Sequence, residues 1–259
     1  HPEQKCFRMI GWGADLVTFE PELGLFDLFT RKLAERPGRY GYFHTGSTNV
    51  DWIADLPHRD RLIGVWTVTA DAVARRIEPG AGAAAARFEA GRRCIRMGVP
   101  ARYKFKPIIP IRNWRAEYAR AVDEALRPPR PESIGLCVLM WMDLDALAGR
   151  IDLELLDPAF VRAARDAAGE MKGVSAGPFP HELRAEVYRF FTEQVRRRDA
   201  SIPLYLSTES RRMWDELKDE LGQGPSDYVC GCGPVALPGG GLATSEACAT
   251  STYCRPAGG

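Results

Sequence analysis

The chain has 259 residues, 45% of them hydrophobic and 27% charged, with a formal net charge of +1. That length suits one large domain or a domain with an appendage, and so even a charge balance gives no global attraction to nucleic acid or to anionic membranes. The longest apolar stretch, 134–142, falls well short of the roughly 18 residues of a membrane span, and no basic-plus-apolar leader opens the sequence.

Residues 6–10 (CFRMI) read as a short buried strand closed by Gly11-Trp12-Gly13. Over 23–33 the apolar residues Leu25, Phe26, Leu28, Phe29 and Leu33 form a helical stripe. The aromatic run 40–45 (YGYFHT), after a Pro-Gly signal, predicts a strand, and 50–56 a short helix ended by Pro57. A strand follows over 62–68 (LIGVWTV), then a helix over 70–77 that Glu78-Pro79-Gly80 breaks. The Ala- and Arg-dense stretch 83–97 predicts a helix stopped by Gly98.

Next come a strand over 102–109, a helix over 114–126 halted by Pro128-Pro129, and a strand over 134–142 (IGLCVLMWM). The unbroken apolar run of the last suits a strand covered on both faces of a parallel sheet. Beyond it the rhythm changes to helices over 158–171 and 181–198, a short strand over 203–206, a helix over 211–221, and an aperiodic Gly- and Cys-rich tail over 226–259.

Repeated strand–helix units predict an α/β fold with a parallel sheet and helices outside. A doubly wound sheet and a barrel both satisfy that pattern. No G-x-G-x-x-G follows a strand, so a dinucleotide site has no support. In a barrel the chemistry gathers at the C-terminal ends of the strands. Here those ends are 11–15, 45–49, 67–71, 107–112 and 140–145, all polar or sharply turned. His44 on a strand and His58 in a turn read as structural or surface groups. Arg75-Arg76 and Arg196-Arg197-Arg198 read as solvated helix faces, with a phosphate backbone as the alternative contact. Tyr188, Phe190 and Phe191 read as core.

The cysteines are Cys6, Cys94, Cys137, Cys230, Cys232, Cys248 and Cys254. An odd number, in a chain long enough to build a core without staples, favours a reduced, cytoplasmic setting. Cys230, Cys232, Cys248 and Cys254 lie among glycines that permit sharp turns. They are a donor set for zinc or an iron–sulfur cluster; without a paired C-x2-C spacing, the alternative is a set of unpaired tail thiols.

Three segments carry a resemblance: NVDWIADLPHRDRLIGVWTVTADAVARRIEPG (49–80), the Ala-rich helix ending at Gly98, and YKFKPIIPIRNW (103–114). In order and spacing they resemble the middle of the spore photoproduct lyase-like family of radical S-adenosylmethionine (SAM) enzymes. The likeness extends back through FRMIGWGADLV and forward through IGLCVLMWM, with Val50-Asp51, Glu78-Pro79-Gly80 and Pro107-Ile108 in register. It implies a partial (β/α) barrel of radical SAM type over 1–155, holding the family's strands two to six. A C-terminal, mainly helical α/β extension would span 156–225, and the Cys/Gly-rich tail 226–259. It also implies a 4Fe-4S cluster that cleaves SAM reductively, a radical that abstracts hydrogen from a thymine dimer in DNA, and an electron donor such as flavodoxin or ferredoxin.

The C-x3-C-x2-C loop that holds the cluster in that family does not occur in this sequence, and 6–10 aligns with the family's second strand. The expectation is a piece that lacks the first βα unit and does not cleave SAM alone. The intact gene would carry the loop about 25–50 residues before Cys6.

Position by position, the resemblance places Gly11, Gly13 and Asp15 at the SAM-facing end of the second strand. It places Thr45 and Ser47 at a SAM carboxylate contact, where the family has a Lys and this chain has Gly46. Thr67 and Thr69 match ribose and carboxylate contacts, and Pro107 a surface packed on adenine. Hydroxyls suit such hydrogen bonds, while β-branched filling of a strand end is the alternative for each Thr. Trp12 stands where the family has a hydrogen-donating cysteine, and the Cys tail replaces Tyr- and Lys-rich segments. Trp12 is expected to stack on substrate or adenine, or to pack into the barrel end, with hydrogen returned by a tail cysteine or by SAM itself. Two rival readings stay open: a non-enzymatic nucleic-acid-binding remnant of the fold, and a structural metal protein organised by the tail.

Overall fold

The computed structural model describes residues 4–9, 15–224 and 236–239. Its sheet has six strands: β1 (Cys6–Arg8), β2 (Tyr40–Thr45), β3 (Leu62–Val68), β4 (Ala101–Ile108), β5 (Ile134–Val138) and β6 (Leu204–Leu206). Each strand pairs in parallel with the next in sequence. A doubly wound sheet reverses its strand order at a switch point. This order never reverses, and the sheet curls into a half-barrel, so of the two architectures the pattern allowed, the structure is the partial barrel.

Among the described residues the helices are α1 (Glu20–Leu23), α2 (Leu25–Ala34), α3 (Asp71–Arg76), α4 (Ala84–Arg96), α5 (Trp114–Ala125), α6 (Leu144–Ala148), α7 (Pro158–Asp166), α8 (His181–Arg198) and α9 (Arg211–Leu221). Strand alternation and register assign the two faces of the sheet. Phe43 of β2 meets Phe26 of α2 at a centroid distance of 5.4 Å, Tyr103 of β4 meets Phe88 of α4 at 5.2 Å, and Phe105 meets Phe191 of α8 at 5.0 Å. That face is the helix-covered core. The alternate residues face the concave side: Arg8, His44, Thr67, Arg102, Lys104, Lys106 and Cys137.

Several elements differ from the pattern-based expectation. The helix expected over 23–33 is broken at Gly24, whose φ of 62° is left-handed and so free of strain only for glycine. The turn expected as a helix over 50–56 is a 3-10 segment, Asp51–Asp55. The strand expected over 134–142 ends at Val138, although Leu139 and Met140 remain buried. An apolar run reports burial and cannot say where ladder pairing stops. The helix expected over 158–171 ends at Asp166. The unforeseen α6 is capped by Asp143, whose Oδ1 accepts from Ala146 N at 2.8 Å.

Residues 156–224 share this sheet and core: β6 pairs with β5, and α8 packs on α5. At the opposite end of the barrel, Arg102 donates to the Ala236 and Leu237 carbonyls at 2.9 and 3.0 Å, and Gly239 N donates to Glu132 Oε1 at 2.7 Å. The short segment 236–239 thereby closes the N-terminal ends of β1 and β4.

Candidate functional site

The C-terminal end of β2 is held by the carboxylate of Asp15. Thr45, almost fully buried, donates its hydroxyl to Asp15 at 2.8 Å, and Gly46 N donates to the same carboxylate at 3.0 Å. Thr45 Oγ1 in turn accepts from Ser47 N at 2.8 Å, and Trp66 Nε1 donates to the Ser47 carbonyl at 3.2 Å. The Thr45 hydroxyl is therefore committed to shaping the strand end.

The concave face of β4 is basic. Arg102, Lys104 and Lys106 alternate with Tyr103 and Phe105, and the first two are buried. Arg102 is neutralised by Glu132 at 2.9 Å. Lys104 lies next to Thr67 in register and has its ammonium 5.8 Å from the centre of the Tyr205 ring. His44 faces the same space, and its buried Nε2 has no hydrogen-bond partner among the described residues. Burial first, then the cations Lys104, Arg8 and Lys106, pull its pKa down to about 3, so the ring is a neutral imidazole at ordinary pH. Thr67 is half-buried on this face. Thr69 is fully buried, and its hydroxyl lies 3.5 Å from Tyr118 Oη in the helix layer. Pro107 is half-buried where the β4–β5 register shifts between Phe105 and Ile108.

A buried ion pair holds the mouth at β5 and β6. Arg184 Nε donates to Glu209 Oε1 at 2.8 Å, Tyr188 Oη donates to the same oxygen at 2.9 Å, and Val138 N donates to Tyr188 Oη at 3.1 Å. One carboxylate thus links α8, the end of β5 and the loop after β6. Lys106 reaches this rim, with Nζ 3.3 Å from Thr208 Oγ1 and 4.3 Å from the centre of the Trp141 ring.

Cys6, Cys94 and Cys137 are free and buried. Burial pushes Cys6 up to about 11 and Cys94 up to about 12, and raises Cys137 as well, so all three are protonated thiols at ordinary pH. Among the described residues no three His, Cys, Asp or Glu side chains are grouped to hold a metal. Gly11, Trp12 and Gly13, and all four tail cysteines (Cys230, Cys232, Cys248 and Cys254), lie outside the described residues. A groove of about 460 Å³ lies between β1 and α2, lined by Phe7, Arg8 and Met9 on one side and by Phe29, Leu33 and Arg36 on the other.

The structure brings Asp15, Thr45 and Ser47 together, sets Thr67 on the concave face, and separates Thr69 from it. The sequence reading passed over Lys104, Lys106 and Trp141, and gave His44 a bland role. The available signal was basic residues at every second position of an otherwise apolar strand, 102–106.

Solved structures of spore photoproduct lyase match this fold. A mutant with bound AdoMet and dinucleoside spore photoproduct is 15% identical, with a TM-score of 0.61 over 79% of this chain and 61% of that one. A complex with dinucleoside spore photoproduct has a TM-score of 0.60 at 15% identity, over 78% of this chain and 60% of the other. The chain spans about three-fifths of the length of those structures, and at this identity the likeness is one of fold. No family model and no curated protein matches the chain. Among the described residues no helix is long and apolar enough to cross a membrane.

Proposed function

We propose that this chain is the SAM-binding core of a radical SAM enzyme of the spore photoproduct lyase type, acting on a DNA lesion. The observation that carries the reading is a polar, cationic concave face on a consecutive parallel half-barrel, the fold of structures solved with AdoMet and dinucleoside spore photoproduct. SAM bears a carboxylate, an ammonium group, ribose hydroxyls and a flat adenine. The Thr67 hydroxyl, the Lys104 ammonium beside it and the unpartnered His44 Nε2 are the matching groups for its ribose and carboxylate.

Asp15 and Thr45 position the adjoining strand end through their mutual hydrogen bond. A Cβ at Gly46 would meet nothing within 4 Å, so that edge offers room for a ligand. Pro107 is the surface for adenine. Thr69, turned to Tyr118, supports the strand end rather than meeting the cofactor. SAM held there would supply hydrogen-abstraction chemistry once paired with a reducing iron–sulfur cluster. The described residues do not fit such a cluster, whose ligands would lie outside them.

The test is equilibrium dialysis of the chain against SAM. Saturable binding that Thr67→Val weakens several-fold supports the reading, and the absence of saturable binding overturns it.

A further inference from the structure

Four non-glycine residues among those described have φ in the left-handed region: His58, Asn113, Trp141 and Thr208. Two of them, Trp141 at 66° and Thr208 at 63°, are the residues that Lys106 touches at the rim. A bulky side chain rarely adopts this backbone, and such outliers persist where the surroundings over-determine them. Here the loop is held: Trp141 N donates to the Ser175 carbonyl at 2.8 Å, and Met140 before it is buried. The consequence is that the indole leaves the apolar run and stands in solvent, 55% exposed, directly past the end of β5.

An exposed indole stacked with an ammonium is a two-part recognition surface. The ring offers a flat apolar face, and the cation offers charge at its edge. Lys106 also belongs to the basic row of β4, with Lys104 one pleat deeper and Arg8 across the concave face, where these three cations surround the neutral His44. The surface therefore favours a flat heterocycle joined to an anion.

We propose that Trp141 and Lys106 form a nucleotide-binding platform at the mouth of the half-barrel, the indole stacking a nucleobase and the ammonium meeting an adjoining phosphate. This rests on the DNA-lesion reading above and assigns the residues that hold a base beside the SAM site. The mode is the sequence-tolerant one of single-stranded nucleic acid, in which an aromatic ring carries the base and a basic groove carries the backbone.

The test is fluorescence anisotropy of the full chain with two labelled probes, a short single-stranded oligothymidylate and an abasic oligonucleotide of equal length. Trp141→Ala should weaken oligothymidylate binding about ten-fold and leave the abasic probe unchanged, with Trp141→Phe restoring most of the loss. Lys106→Met should weaken both probes and lower the salt slope by about one. Trp141 is exposed, so its variants should melt with the parent. Equal losses on both probes with Trp141→Ala, or no loss on either, overturn the platform. No binding of either probe by the parent also overturns it, and SAM dialysis then tells whether the SAM-binding reading survives.

Discussion

Arg184 and Glu209 form an ion pair at 2.8 Å in which the side chains are 4% and 0% exposed. Arg184 also donates to the Phe179 carbonyl at 2.6 Å, and Glu209 accepts from Tyr188 at 2.9 Å. Every strong group of the pair is satisfied, so removing either partner leaves a buried charge without compensation. Glu209→Ala is expected to destabilise the chain by about 3–5 kcal/mol, read as a lower denaturation midpoint. Arg184→Met combined with Glu209→Leu should cost much less than the sum of the single changes. Additive losses would show that the pair is not coupled as the geometry requires.

Thr67 and Thr69 lie on different sides of the sheet, the first on the concave face and the second against Tyr118. Thr67→Val removes a hydroxyl from the concave face and should weaken SAM binding by about 0.5–1.5 kcal/mol with an unchanged melting temperature. Thr69→Val removes a hydroxyl that faces Tyr118 in the core, so its effect should fall on stability and leave SAM affinity alone. Dialysis and thermal melts on the two single variants check both halves, and the reverse assignment would move the cofactor to the other side of β3.

His44 makes stability depend on pH. Its folded-state pKa, about 3, lies below the unfolded value of about 6.5. Between these two values the unfolded chain binds a proton that the folded chain does not, so stability falls as pH drops below about 6.5, by at most about 1.4 kcal/mol per unit. Above that range both states hold a neutral imidazole and the residue contributes no slope. His44→Gln should flatten the decline between pH 6.5 and 4 relative to the parent, measured by chemical denaturation. Parallel pH profiles for the two proteins would refute the buried neutral imidazole.

Gly64 is required by a close approach within one strand. A Cβ there would lie 2.1 Å from the Trp66 ring and 3.1 Å from Phe43, two side chains of the fully buried core. Gly64→Ala should therefore overpack the β2–β3 face and cost about 1–3 kcal/mol. A thermal melt at or above the parent value would mean that the Trp66 ring relocates freely.

The sequence by itself determined the class of fold and most of its elements. β2 and β3 are bounded by turn signals, and α5, α8 and α9 carry apolar periodicity, which are local properties; of these helices α9 alone has a side-chain cap, Ser210 on Met213 N at 3.2 Å. By the rule for barrels the sequence also made the strand C-terminal ends the expected place for a site. Periodicity alone could not determine strand order, because both a doubly wound sheet and a barrel are built from the same strand–helix unit; the family resemblance implied the partial barrel, and the structure has it. Nor could periodicity locate the end of β5, since Leu139 and Met140 are as buried as the strand before them. Thr67 and Thr69 sit two residues apart, which in a continuing strand would put them on one face. β3 ends at Val68, and only the packing against α5 shows that the second hydroxyl turns to Tyr118. The basic alternation of 102–106 is the sharpest case. In a flat half-buried strand it reads as a solvent face, and the curl of the half-barrel turns that face into an enclosed one, so that the same lysines line the mouth beside His44 and Trp141.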